Sequence, residues 1–290
     1  MIMAKRNYRG RRRAHPLRAI LLILCIAALA VCIYDSNYHL QTETFTASFE
    51  NLPEGFDGCT IVQLTDLHGA QFGEDNADLI AAVKAAKPDY IFLTGDMLDR
   101  FRETPQSYAV ELCAALMEIA PTYLVTGNHE WALGNVRELK AAIAGTGAVV
   151  LSNEFVTLER NGDTILLAGI DDPNGYADQK TPEELAEELY EAYDDPFWLM
   201  LAHRNHYFVK QYYRLGADLV LSGHAHGGLF RLPFTDGLIG VERDLFPSYT
   251  AGFYEVDGAR LFVSRGLGNS GRSFRLFNRP QVAVLTLKRG

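Results

Sequence analysis

Cysteine is scarce. Four occur in 290 residues, which excludes a disulfide-stapled scaffold. Internal repeats and low-complexity runs are missing, and hydrophobic residues at 48% with charged residues at 22% lie near globular averages. A solenoid, a collagen, a coiled coil and a disordered chain are thereby excluded. A broad basic face is missing as well. Lys5, Arg6, Arg9, Arg11, Arg12, Arg13 and Arg18 crowd residues 1–18 without an acid, and the formal net charge of −9 less this +7 leaves −16 for the rest. Such an acidic body repels a nucleic-acid backbone. No Gly-x-Ser-x-Gly elbow occurs, which disfavours a serine hydrolase. No His-Glu-x-x-His occurs, which disfavours one common kind of metallopeptidase.

Only one long apolar run is present. Residues 19–34, AILLILCIAALAVCIY, follow the basic flank. The run is a little short for a helical span and a little long for a signal-peptide core. Ala28-Leu29-Ala30 offers a cleavage site, yet the apolar character continues through Ile33 and Tyr34. An uncleaved anchor is the favoured reading, a cleaved signal the second and a buried core helix the third. In the first two, the basic flank stays in the cytoplasm and the body is exported. Arg12-Arg13 is a weak hint of twin-arginine export, and Val31 before Cys32 fits lipoprotein processing poorly. Cys59 and Cys113 read as buried free thiols.

The chain divides into a basic cytoplasmic flank (1–18), the membrane segment (19–34), a connector carrying a first strand at Thr44–Phe49 (35–57) and a main domain (58–290). Short apolar runs then alternate with helical patterns. Strands are expected at Cys59–Thr65, Tyr90–Thr94, Thr122–Thr126, Phe197–Leu201 and Asp218–Leu221. Helices are expected at Asp78–Ala86, Gln106–Ile119, Val136–Ile143, Thr181–Tyr193 and Tyr207–Leu215. Phe155–Glu159 and Thr164–Ile170 form a hairpin around Asn161-Gly162, and Tyr249–Val256, Arg260–Ser264 and Val282–Leu287 are late strands. The alternation predicts an α/β protein with largely parallel pairing, and the late hairpins a second, more antiparallel sheet.

Five of the early strands run directly into Asp, His or Asn. They lead to Asp66-x-His68, Gly95-Asp96, Gly127-Asn128-His129-Glu130, His203 and Gly223-His224-x-His226-Gly227. In a parallel sheet, ligands gather beyond the carboxyl ends of the strands, so these groups converge on one edge. Each motif alone has a bland reading: Gly-Asp is a common turn, and a single His is usually core or surface. Five coincidences of both residue type and position point instead to a metal site. Nitrogen and oxygen donors without thiolate suit Mn, Fe, Zn, Co or Ni. Seven ligands with one shared carboxylate would hold two ions about 3.5–4 Å apart. Water between such ions becomes hydroxide near neutral pH and attacks phosphorus in line. His129 stabilises the developing charge or protonates the leaving oxygen.

Taken together, these motifs resemble the calcineurin-like metallophosphoesterases over roughly residues 44–288. Gly266-Leu267-Gly268-Asn269-Ser270, Arg275–Pro280 and the Phe246-Pro247-x-Tyr249-x-x-Gly252 run resemble its YkuE-like bacterial, membrane-associated subgroup. The resemblance implies a four-layer α/β/β/α sandwich with a dinuclear site. It assigns one ion to Asp66, His68, Asp96 and His226, and the other to Asp96, Asn128, His203 and His224, with Asp96 bridging. It implies that His129 faces the scissile phosphate and binds no metal. One departure stands out. Asn or Arg and then Pro are expected after His203, but Arg204-Asn205-His206 follows.

Around this set, Asp99 is a candidate to orient His129. Arg204, Arg272 and Arg275 are candidate phosphate contacts, His206 is an ordinary surface or core histidine, and Glu183–Glu191 is a solvated helix face. The expected function is hydrolysis of a phosphate mono- or diester by an exported, membrane-tethered enzyme. Its substrate would be membrane-proximal or lipid-linked. A non-catalytic metal- or phosphate-binding protein and a metal-dependent amidase are the alternatives.

Overall fold

Strands that are apolar at every position are buried on both faces, and here they assemble into two packed sheets. The computed structural model describes residues 16–175, 179–232 and 235–290. Most of the basic flank, including Arg12-Arg13, lies outside the described residues. A helix α1 (Pro16–Tyr38) precedes the first strand. The strands are β1 (Gln41–Phe49), β2 (Thr60–Leu64), β3 (Tyr90–Thr94), β4 (Thr122–Val125), β5 (Val149–Val150), β6 (Glu154–Arg160), β7 (Asp163–Ile170), β8 (Trp198–Arg204), β9 (Leu219–Gly223), β10 (Phe230–Arg231), β11 (Gly237–Ile239), β12 (Gly252–Val256), β13 (Ala259–Val263) and β14 (Gln281–Arg289). The remaining helices are α2 (Ala77–Ala86), α3 (Gln106–Met117), α4 (Asn128–Ala132), α5 (Val136–Ala144) and α6 (Pro182–Ala192).

One sheet has the order β1-β14-β2-β3-β4-β5 and the other β12-β13-β9-β8-β7-β6. Successive strand residues point to opposite faces, and this period of two produces the layers. Ile61 and Phe92 enter the core between the sheets, where they meet Leu199, Leu221 and Leu285. Their neighbours Val62 and Ile91 face the other way, onto Leu79 of α2, Leu116 of α3 and Leu139 of α5. Met200 and Val220 turn outward beneath Leu185 and Leu189 of α6 and the buried Tyr212. The result is the four-layer α/β/β/α sandwich. Cys59 and Cys113 are free and buried, in different layers.

Three expectations are corrected. The second sheet is parallel through β7, β8, β9 and β13, and antiparallel only at its edge strands β6 and β12. The first strand is no connector. β1 pairs in parallel with β14 over its whole length and places Ala47 and Phe49 in the inter-sheet core, so the main domain begins well before residue 58. Tyr207–Leu215 is not an α-helix but two 3-10 turns, Asn205–Tyr207 and Tyr212–Arg214. Its aromatic residues have modest helix propensity, and burying Phe208 and Tyr212 under the second sheet takes precedence over a regular ladder. The least favoured of the three readings of the apolar run, a buried core helix, is not met: the apolar residues of α1 are largely exposed and only Ser36 is buried. The helix runs four residues past Tyr34, and at 1.5 Å per residue its 23 residues span about 35 Å.

Candidate metal centre

Parallel β2, β3 and β4 deliver Asp66, Asp96 and Asn128 from one sheet. Parallel β8 and β9 deliver His203, His224 and His226 from the other. The loops turn sharply at the candidate ligands themselves. Asp66, His68, Asp96, His224 and His226 have φ of 51°, 48°, 53°, 68° and 49°. Left-handed backbone costs of order 1–3 kcal/mol at a non-glycine residue and gathers at functional sites. Neighbouring amides knit the first two loops together, with Asp66 N to Gly95 O and His68 N to Asp96 O both at 3.0 Å. The glycines explain the closeness. A Cβ on Gly95 would lie 2.6 Å from the Gly127 amide nitrogen, and one on Gly127 would strike Asp96 Oδ1.

The side chains form two adjoining groups. In the first, His68 Nε2 lies 3.1 Å from His226 Nε2, and His226 Nε2 lies 3.5 Å from Asp66 Oδ1. In the second, His203 Nε2 lies 3.2 Å from His224 Nδ1 and 3.1 Å from Asp96 Oδ2. The same Asp96 oxygen is 3.7 Å from His68 Nε2, so Asp96 sits between the groups. Asp66–His68–His226 and Asp96–His203–His224 each bring ligand atoms close enough to share an ion.

These residues fit metal ions. His203 Nδ1 faces the Thr94 carbonyl at 2.8 Å. A carbonyl only accepts, so Nδ1 carries the proton and the Nε2 lone pair points at the Asp96 carboxylate. That arrangement repels unless a cation or a second proton lies between. Burial pushes His203 down, but the Asp96 and Asp66 carboxylates outweigh it and hold the ring up at about 10. A metal ion would replace that proton. Asn128 Oδ1 is buried without a hydrogen-bond partner, as expected of a ligand oxygen. Burial pushes Asp66 up to about 6 and His68 down to about 3. A dication would reverse the first shift and is compatible with the neutral ring of the second.

His129 stands at the wall of a cleft of about 880 Å³ floored by Asp96, Asn128, His224 and His226. The Arg100 amide donates to His129 Nδ1 at 3.1 Å, which leaves the neutral ring's proton on Nε2. That nitrogen lies 3.4 Å from Ser270 Oγ and 4.0 Å from Asp96 Oδ2. Burial pulls the His129 pKa below its usual value, so the ring is neutral at pH 7. Asp99 Oδ1 lies 3.2 Å from Nδ1 and gains its hydrogen bond once the ring is doubly protonated. Asp99 Oδ2 accepts from the Gly271 amide at 2.7 Å.

The three arginines fare differently. Arg272 is exposed and lines the cleft. Arg204 is engaged by Asp172 through contacts of 2.6 and 3.1 Å. Arg275 is fully buried and does not reach the cleft. Its guanidinium donates to the carbonyls of Arg265 and Gly268, each at 2.7 Å, and lies 3.3 Å from His226 Nδ1. The expectation of a phosphate contact there is corrected to a support beneath His226. His206 is half-buried, its ring 5.5 Å from that of His224.

Two supports were not recognised in the sequence as such. Glu130 closes the Gly127-Asn128-His129-Glu130 motif, and its buried carboxylate accepts backbone amides from Asp96, Leu98 and Gly127. A glutamate three residues into a helix, after Gly127, is a capping signal that could have revealed it. Asn278 donates to the His226 carbonyl at 2.7 Å, and no local signal marks it.

A sandwich whose two sheets direct Asp, Asn and His from their strand ends into one buried cleft defines a metallohydrolase architecture. Residues 59–228 match the calcineurin-like phosphoesterase family, and the chain belongs to that family. It is 29% identical over 265 residues to the metallophosphoesterase YkuE of Bacillus subtilis, covering 88% of each chain. It is 30% identical over 257 residues to a metallophosphoesterase of Aquifex aeolicus, covering 87% of this chain and 93% of the relative. Against Phosphodiesterase YaeI of Escherichia coli it is 29% identical over 232 residues, covering 78% and 81%. This membership makes the chain a metal-dependent phosphoric ester hydrolase.

Proposed function

We propose that the chain hydrolyses a phosphate mono- or diester at a two-ion centre, with Asp96 shared, His129 acting on the phosphate, and the domain tethered outside the cytoplasmic membrane by residues 19–34. The observation that carries the centre is the position of Asp96 Oδ2, 3.7 Å from His68 Nε2 and 3.1 Å from His203 Nε2. Asp66, His68, Asp96 and His226 would hold one ion, and Asp96, Asn128, His203 and His224 the other. Two ions of the Mn, Fe, Zn, Co or Ni class would supply a nucleophile ionised near neutral pH and positive charge for the phosphoryl oxygens.

The chain's own groups do the rest. Asp66 and Asp96 return two negative charges, so the loaded site stays positive and attracts phosphate in spite of the acidic body. Neutral His129, with its proton on Nε2, can donate to an equatorial oxygen or to the leaving oxygen. Asp99 stabilises the ring when it charges, and Arg272 on the cleft wall is the arginine available to a substrate. The name of the Escherichia coli relative favours a diester. Export is supported by the basic flank, and tethering by the length and exposure of α1.

The test combines ion content with turnover of p-nitrophenyl phosphate and bis-p-nitrophenyl phosphate by the full-length protein. Reconstitution should give about two ions per chain. His129→Ala should keep them and lose about 10²–10⁴ in rate. One ion per chain with activity retained would refute the shared centre, and loss of an ion from His129→Ala would refute its role. Digestion of the domain by protease added to intact spheroplasts supports export; protection until lysis overturns it.

A further inference from the structure

The last turn of α1 is bound to one loop of the catalytic domain. Asp35 pairs with Arg279 through two contacts of 2.7 Å. Asn37 Oδ1 accepts from the Arg275 amide and from Asn269 Nδ2, and Asn37 Nδ2 donates to the Arg275 carbonyl, each at 2.9 Å. Loop 268–279 therefore begins its work where the apolar span ends. The level of that end is marked by Tyr34 and Tyr38, both exposed on α1 with rings 5.0 Å apart. Such paired aromatics suit a membrane–water interface.

The same loop exposes Phe274 and Phe277, at 43% and 47%, on either side of the buried Arg275. Since Asn37 grips Arg275, these two rings stand next to the exit of the span. Phe274 packs on Phe230 of β10 at 4.9 Å. The chain beyond β11, which folds back on Ile239 at Leu245, adds Leu245 and Phe246, 71% and 73% exposed. Phe246 is held by its amide to Leu238 of β11 at 3.0 Å. Toward the cleft, the rim carries Arg102, Arg243 and Arg272, with Glu242 as its acid. Exposed large apolar side chains grouped beside a basic rim mark an interaction surface.

We propose that loop 268–279 and the segment that folds back on β11 at Leu245 and Phe246 form a bilayer-docking surface, with Phe274, Phe277, Leu245 and Phe246 bedded at the boundary between headgroups and acyl chains of an anionic phospholipid membrane. The occupant is a bilayer for two reasons. The patch is continuous, through Asn37 and Arg275, with a helix suited to entering that bilayer, and the rim complements lipid phosphate. The inference rests on the proposed tether and deepens it. The tether then does more than raise local concentration. It holds Ser270, Gly271 and Arg272, which line the cleft, at headgroup level, where esters of lipid headgroups are presented.

The experiment reads depth directly and requires no activity. Full-length Phe246→Trp and Phe277→Trp proteins are reconstituted in vesicles of phosphatidylcholine and phosphatidylglycerol with brominated acyl chains. The control is Tyr190→Trp, because Tyr190 bonds Trp198 at the start of β8, the end remote from His203. The tryptophans at 246 and 277 should lose most of their added emission, the one at 190 almost none, and omitting phosphatidylglycerol should weaken the loss. Quenching at 246 and 277 no greater than at 190 overturns the docking surface, whatever stabilises the patch instead. Carbonate extraction of the same vesicles separates this outcome from failure of the tether: protein that stays with the lipid yet shows no quenching has an anchor but no docking face, and protein released by carbonate refutes the tether, while the quenching at 246 and 277 before extraction decides the docking face by itself.

Discussion

Glu130 Oε2 accepts from the Asp96 amide at 2.9 Å and from the Gly127 amide at 2.8 Å, while Oε1 accepts from the Leu98 amide at 2.9 Å. One buried carboxyl thus joins the loop bearing Asp96 to the loop bearing Asn128 and His129. Burial, with Asp96 adding to it, raises Glu130 to about 7, and the Leu98 and Gly127 amides act against that rise. Glu130→Ala leaves three buried donors unsatisfied, at about 1–3 kcal/mol each. The expected result is a clear fall in unfolding temperature together with reduced ion content, read by calorimetry and elemental analysis. An unchanged temperature would show that the loops do not depend on this bond set.

Asp96 and Asp66 differ in how many ligand groups they touch. Asp96 Oδ2 approaches rings of both groups, whereas the ring nearest to Asp66 is that of His226, at 3.5 Å, with His68 and His203 each at 4.0 Å. Asp96→Asn should lower the affinity for both ions, and Asp66→Asn chiefly for one. Titration of the metal-free variants with Mn or Zn, followed by calorimetry, distinguishes the two patterns.

Gly127 is constrained by contact with the proposed ligand Asp96. A methyl group there meets Asp96 Oδ1, which itself accepts from the His129 amide at 2.8 Å. Gly127→Ala should destabilise by about 1–3 kcal/mol through overpacking and should also weaken ion binding, because the atom displaced belongs to the shared carboxylate. Urea unfolding gives the first quantity and ion titration the second.

His206 supplies a pH signature outside the ligand set. Burial, with Lys210 and Arg204 beside it, lowers its pKa to about 4. The unfolded side chain protonates near 6.5. Between these values the unfolded state binds more protons than the folded state, so this residue makes stability fall as pH drops from 6.5 toward 4. His206→Gln should remove that part of the slope. Unfolding free energies of both proteins at pH 7 and pH 4.5 give the comparison, and the variant should lose less on acidification.

Strand-end chemistry was legible because it is local. A short, nearly continuous apolar run followed by Asp, Asn or His needs only neighbours in the chain, and parallel packing carries such ends to one edge. The helix assigned to Tyr207–Leu215 failed because burial of Phe208 and Tyr212 overrode a local pattern. Arg204 and Arg275 read alike as cations, yet one is engaged by Asp172, 32 residues away, and the other is enclosed by carbonyls and packed under His226.

The sequence by itself determined the donor set, the order of its motifs, the alternation that builds the sandwich and the apolar helix at the start, all of which follow from residue type and short-range spacing. Tertiary structure alone decided which carboxylate lies between the two histidine groups, that β1 completes a sheet with β14, and that Asn37 grips Arg275 across 238 residues. The physical reason is the same in each case. A hydrogen bond or a shared charge depends on distances of about 3 Å, and contacts between distant residues acquire those distances only when the layers pack.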